Sequence, residues 1–171
     1  DFNTLNFGGR REDGTTPYRL GDQDLSLFFG QSSFSQYVVT RASNAVVVDP
    51  EVDLTLLGPL GCGIQTGSGT VLNRLKPVVG ESLVVFGCGA VGLSAIMAAK
   101  LTGCSQIIAV DIHASRLALA GELGATHQIN GKEQDAVAVI KQITGKGAHY
   151  AVETTGVSAI VLQAVHAVKP L

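Results

Sequence analysis

Apolar positions follow two different regimes along the chain. After about residue 80, short apolar runs alternate with longer segments in which small and apolar residues recur at helical spacing. This pattern predicts strands at Ser82–Phe86, residues 107–111, His127–Asn130 and Tyr150–Glu153, and helices at residues 91–102, 115–123, 135–144 and 158–168. Regular β/α alternation implies right-handed crossovers and a parallel sheet. Before residue 60 no helical period is visible. Residues 33–41 and 45–48, rich in β-branched and aromatic side chains, predict two short strands separated by Ala42-Ser43-Asn44 and closed by Asp49-Pro50. A connecting helix is predicted over residues 61–75. The expected organisation is a β-rich portion at residues 1–60, then an α/β portion at residues 61–171 built on a doubly wound parallel sheet.

The join between the first long-regime strand and its helix carries the chemistry. Val84-Val85-Phe86-Gly87-Cys88-Gly89-Ala90-Val91-Gly92 is an apolar run ending in G-x-G-x-x-G, and Asp111 closes the next apolar run nineteen positions beyond Gly92. Strand, glycine turn, helix and distant acid together form a dinucleotide-binding fingerprint. Gly87 lets the chain turn out of the strand, Gly89 leaves room for a diphosphate to approach the backbone, and Gly92 lets the helix lie close to the strand. Free N–H groups and the positive dipole end at Gly89, Ala90 and Val91 favour the diphosphate. Asp111 would accept hydrogen bonds from the ribose hydroxyls and repel a 2′-phosphate, which points to NAD over NADP. Arg116 could lie against the ribose or adenine. The plainer readings are a glycine turn beside a strand-end aspartate, and a solvated arginine.

Composition removes several classes of function. A net charge of −2 and only 15% charged residues leave no basic footprint for nucleic acid or an anionic membrane. No apolar run is long enough for a membrane span, and the first residues lack a signal-peptide pattern. Three cysteines without C-x-x-C spacing argue for a reducing, cytoplasmic setting. The ends carry a different expectation. The chain opens at Asp1 without Met, stops at Lys169-Pro170-Leu171 after a helical pattern, and shows four of the six strands of a complete dinucleotide domain. It reads as an internal piece of a longer enzyme, with an unpaired edge expected at Tyr150–Glu153 and self-association through it.

Cys62 sits between Gly61 and Gly63 just before the connecting helix, where unpaired N–H groups favour a thiolate and hence a soft zinc ligand. Taken locally, a small buried side chain is the simpler reading. His113, His127, His149 and His166 stand at no ligand-like spacing from it.

Gly61-Cys62-Gly63-Ile64-Gln65-Thr66-Gly67, the run from Val84 to Gly92, Val110-Asp111 and Leu123-Gly124-Ala125-Thr126 resemble the zinc-dependent medium-chain alcohol dehydrogenases. Phe28-Phe29-Gly30-Gln31-Ser32-Ser33-Phe34 and Leu57-Gly58-Pro59-Leu60 most resemble the bacterial aryl-alcohol (benzyl-alcohol) branch. The resemblance covers essentially the whole chain. It implies that residues 1–60 are the later part of a GroES-like catalytic domain and that residues 61–171 are a truncated coenzyme domain. It makes Cys62 a ligand of the catalytic zinc, with the other ligands and the proton relay upstream of Asp1. The same resemblance implies that Thr66 would contact the nicotinamide, Val91 would press on its ring face, Asp111 would hold the ribose, and Thr155 would lie near the adenine-side wall.

The implied activity is hydride transfer from a primary, benzyl-type alcohol to NAD with Lewis-acid help from zinc, in a homodimer or homotetramer. The chain by itself would be inactive. Three other readings compete. A polyol dehydrogenase of the same family is the nearest; a zinc-free quinone reductase using NADPH conflicts with Cys62 and Asp111; a non-catalytic NAD-sensing module leaves residues 1–60 without a purpose.

Overall fold

The structure is a computed structural model that describes residues 7–28 and 36–170. Two compact units are present, Asp1–Val52 and Asp53–Leu171. In the first unit, Arg19–Leu20 (β1) and Gln23–Asp24 (β2) pair as a small antiparallel hairpin. Its two-residue turn begins at Gly21, whose φ of 60° suits a residue without a Cβ. Arg19 Nε lies 3.0 Å from Asp24 Oδ1 across the pair.

Among the described residues, neither of the two strands expected in this unit is paired into a sheet. Residues 33–35 of the first, and most of the run from Phe28 to Phe34, lie outside the described residues. Residues 36–41 and 45–48 are extended or bent but unpaired in any ladder, and a short 3₁₀ turn, Ala42–Asn44, joins them. Their side chains explain the outcome. Val46 and Val47 are 88% and 98% exposed, so these β-branched residues are not packed into a core among the described residues.

The second unit is a three-layer α/β/α sandwich. After a 3₁₀ turn at Leu54–Leu56 comes a helical stretch over residues 60–75 (α1), which is π-helical at Leu60–Ile64, α-helical at Gln65–Gly69 and π-helical at Thr70–Leu75. Wide i→i+5 bonds mark both ends, from Ile64 N to Pro59 O at 3.0 Å and from Lys76 N to Val71 O at 2.8 Å. α1 stops at Lys76, which is left-handed and precedes a proline that cannot continue a helix.

Strands and helices then alternate as the pattern predicts: Ser82–Phe86 (β3), Ala90–Leu101 (α2), Gln106–Asp111 (β4), Ala114–Leu123 (α3), His127–Asn130 (β5), Ala136–Thr144 (α4), Tyr150–Glu153 (β6) and Ser158–Ala167 (α5). Asp135 caps α4 by accepting from Ala138 N at 3.1 Å. Gly124, at φ 130°, ends α3.

All four strands are parallel in the order β5-β4-β3-β6. The period-2 alternation divides the core in two. Leu83, Val85, Ile107 and Ala109 face α1, α2 and α3, together with Val71, Ile96, Ala99 and Leu117. Val84, Phe86, Ile108 and Val110 face α4 and α5, together with Ile129, Ile140 and Ala164. β3, flanked on both sides and covered on both faces, is buried throughout. β6 stands at one end of the sheet among the described residues. Just before it, Ala148 forms an isolated parallel bridge with Val168. No helix among the described residues is long and apolar enough to cross a membrane.

Candidate functional site

Strand order decides where ligand space lies. β3 sits between β4 and β6, so the chain leaves β3 on one side and enters β6 on the other, and a crevice opens beyond their carboxyl ends. The glycine turn stands at that point. Gly87 has φ 91°, and a Cβ there would meet Thr154 Oγ1 at 2.7 Å and Thr155 Cγ2 at 2.9 Å. Gly92 is buried, and a Cβ on it would lie 1.8 Å from Gly87 O. These two glycines are therefore required by packing. Gly89 differs, because its Cβ would enter open space. Gly89 and Ala90 are exposed, Val91 is half-buried, and no side chain caps the helix at Gly89. The turn thus presents a free helix N-terminus over an open cradle, which fits a dinucleotide diphosphate.

Asp111 ends β4 next to this turn. It is buried, with Oδ2 accepting from Cys88 N at 2.7 Å and Oδ1 accepting from Ile112 N at 2.7 Å and His113 N at 2.9 Å. Burial pushes its pKa upward, but the hydrogen bonds from Cys88, His113 and Ile112, with the charge of Arg116, outweigh it and hold the carboxyl below its ordinary pKa. The group is an anion that both ties down the glycine turn and keeps lone-pair capacity for another donor. Arg116 Nη1 is 3.9 Å from Oδ2 and its side chain is 53% exposed, so it is loosely paired and free to swing. Burial, followed by the neighbouring Asp111 charge, pushes the Cys88 thiol up to about 12, which leaves it protonated and unreactive.

Thr154 and Thr155 follow β6 and press on the other flank of the turn. Thr154 Oγ1 donates to Phe86 O and Gly87 O at 3.0 and 2.9 Å. Thr155 is exposed, and both its N–H and its hydroxyl donate to Glu153 Oε1. Asp111 and Thr155 therefore bracket the glycine turn from opposite sides.

Cys62 and Thr66 lie one helical turn apart on α1, and both are exposed. α1 packs directly on the start of α2. A Cβ at Gly63 would lie 3.1 Å from Ala90 Cβ, and one at Gly67 would lie 2.0 Å from Val91 O and 2.2 Å from Ser94 Oγ. The structure thus brings the segment carrying Cys62 and Thr66 against Ala90 and Val91. Among the described residues no group of three His, Cys, Asp or Glu side chains could hold a metal. Cys62 is a fit donor for zinc, but the described residues assemble no complete ligand set around it.

Several contributors escape a reading of the sequence. Gly63 and Gly67 stand four positions apart, a spacing of small residues that suits close helix packing, and Ser94 is the one hydroxyl residue of α2. Thr154 and Glu153, which hold the β6 side of the crevice, carry no motif.

The zinc-binding dehydrogenase family matches residues 90–171. Geraniol dehydrogenase of Castellaniella defragrans is 45% identical over 169 residues, covering 97% of this chain and 45% of that protein. The solved structure of benzyl alcohol dehydrogenase from Acinetobacter calcoaceticus superposes with a TM-score of 0.83 at 50% identity, covering 98% of this chain and 45% of that one. An alcohol dehydrogenase zinc-binding domain protein from Burkholderia ambifaria superposes with a TM-score of 0.84 at 53% identity, covering 98% of this chain and 46% of that one. The chain spans about half the length of these relatives. Residues 90–171 are thus a zinc-binding dehydrogenase domain, and over nearly all its residues the chain is similar to proteins named as alcohol dehydrogenases.

Proposed function

We propose that this chain carries the coenzyme-binding portion of an NAD-dependent zinc alcohol dehydrogenase acting on a primary alcohol whose carbinol carbon is attached to an aromatic or olefinic carbon. The observation that carries the cofactor reading is the buried, ionised Asp111 beside the open cradle at Gly89. An anion at this position accepts from vicinal ribose hydroxyls and repels a 2′-phosphate. The N–H groups of Ala90 and Val91 bind the diphosphate, Arg116 swings over the adenosine, and Thr155 closes the far flank. Gly87 and Gly92 hold the turn in the shape that exposes these donors.

On the reacting side, Cys62 supplies a thiolate donor to zinc and Thr66 orients the nicotinamide against Val91. When bound, zinc supplies a Lewis acid for the alcohol oxygen and the nicotinamide a hydride acceptor. Residues 1–60 take the role of the later part of the catalytic domain, and residues 61–171 that of the coenzyme domain. The substrate class is supported by two relatives, named for geraniol and for benzyl alcohol. Both of these alcohols place a hydroxymethyl group on an sp² carbon.

The test is steady-state kinetics of the full-length protein with benzyl alcohol, geraniol and a polyol such as sorbitol, each with NAD and NADP. NAD and the first two alcohols should be preferred, and Asp111→Ala should relax the cofactor choice toward NADP. Equal efficiency with the two cofactors overturns the cofactor reading, and a preference for sorbitol overturns the substrate class.

A further inference from the structure

Ser94 occupies the second turn of α2 and is 2% exposed, a hydroxyl inside the apolar layer between α1 and the sheet. Its Oγ lies 2.8 Å from Ala90 O and 2.9 Å from Val91 O, and 3.2 Å from Gly63 O on α1. One hydroxyl proton is thus offered to three carbonyls. Two belong to the turn that opens the dinucleotide cradle, and the third follows Cys62 directly. Gly67 completes the seam, because its missing side chain lets α1 settle onto Val91 O and Ser94 Oγ. Buried hydroxyls are kept only where their hydrogen bonds offset desolvation; the two shorter contacts of this one lie within α2, and the 3.2 Å contact to Gly63 O reaches across to the segment that carries Cys62.

We propose that Ser94 is a positioning residue for alcohol oxidation: its hydroxyl sets the spacing between the α1 turn carrying Cys62 and Thr66 and the α2 turn that cradles the dinucleotide. The proposal rests on the functional reading above. Hydride transfer requires donor and acceptor carbons in close, aligned approach, and the acceptor ring is located by α2 and Thr66 while the alcohol is located through Cys62. A small slip along the α1–α2 seam therefore acts on the chemical step and leaves adenosine and diphosphate binding in place.

The experiment compares wild type with Ser94→Ala in the full-length protein by three measurements. Hydrogen–deuterium exchange over residues 60–69 without cofactor should accelerate about tenfold when the buried hydrogen bond is lost. NADH affinity, from fluorescence titration, should stay within about twofold, since Asp111 and the N–H groups of Ala90 and Val91 are retained and the lost bonds go only to carbonyls. With benzyl alcohol, kcat should fall roughly ten- to a hundredfold, and the primary deuterium isotope effect of the α,α-dideuterated substrate should rise. Gly67→Ala, which forces the same seam apart without removing the hydroxyl, should reproduce the kcat loss and the larger isotope effect.

Unchanged exchange over residues 60–69 overturns the clamp. A fall in kcat matched by an equal loss of NADH affinity, with an unaltered isotope effect, overturns the positioning role. Full kcat in Gly67→Ala does the same. A wild type that binds NADH but oxidises neither alcohol overturns the functional reading itself, a result set apart by its appearance without any substitution.

Discussion

Val84-Val85 and Val46-Val47 are the same dipeptide in two surroundings. The first is fully buried in the central strand of a parallel sheet; the second is 88% and 98% exposed in a segment with no ladder among the described residues. β-branched side chains stiffen an extended backbone, yet a strand also needs neighbours for its N–H and C=O groups and for its faces. β3 has β4 and β6 at its edges and helices on both faces. Residues 45–48 have no such ladder partner among the described residues of their unit. An apolar run is therefore an offer of a strand, taken up only when partners exist.

The comparison is broken most directly by truncating one residue of each region. Phe86→Ala should cost about 3–5 kcal/mol, because the fully buried ring leaves a cavity between the sheet and α4 and α5. Val47→Ala should change stability by less than about 0.5 kcal/mol. Denaturant melts of the chain check both, and a large loss from Val47→Ala would mean that its exposure is not the relevant state.

Within the glycine turn the same contrast separates packing from binding. Gly92→Ala drives a Cβ to 1.8 Å from Gly87 O and should cost about 3 kcal/mol, with the turn displaced. Gly89→Ala points into open space and should leave the melting midpoint nearly unchanged while weakening NADH. Fluorescence titration beside thermal melts distinguishes the two, and the separation fails if Gly89→Ala destabilises as much as Gly92→Ala.

The smallest effect concerns acid. Folding depresses the Asp111 pKa, so its hydrogen bonds to Cys88, His113 and Ile112 add stability above the ordinary aspartate value, and that stability is lost as pH falls through the lower folded value. Asp111→Asn removes this dependence at a cost of about 1–2 kcal/mol near neutral pH. Urea midpoints measured from neutral to acid pH should converge for the two proteins. Parallel curves would show that Asp111 is not titrating with folding.

What the sequence by itself determined is local and repetitive. Four short apolar runs, the intervening helical periods, Gly87, Gly89 and Gly92 at their spacing and Asp111 at the end of the second run specify a parallel α/β sheet and the position of its glycine turn, because each signal depends on residues close together in the chain. The tertiary structure decided what no spacing encodes. It decided that Gly87 and Gly92 are packing glycines while Gly89 alone faces open space, that the Asp111 carboxylate holds Cys88 N, and that Thr154 and Thr155 flank the turn across the sheet. It also set α1 onto α2 through Gly63, Gly67 and Ser94. The Ser94–Gly63 and Asp111–Cys88 contacts join residues 31 and 23 positions apart. Such contacts exist only after the strands have paired, and pairing likewise decides which valines become sheet and which stay in solvent.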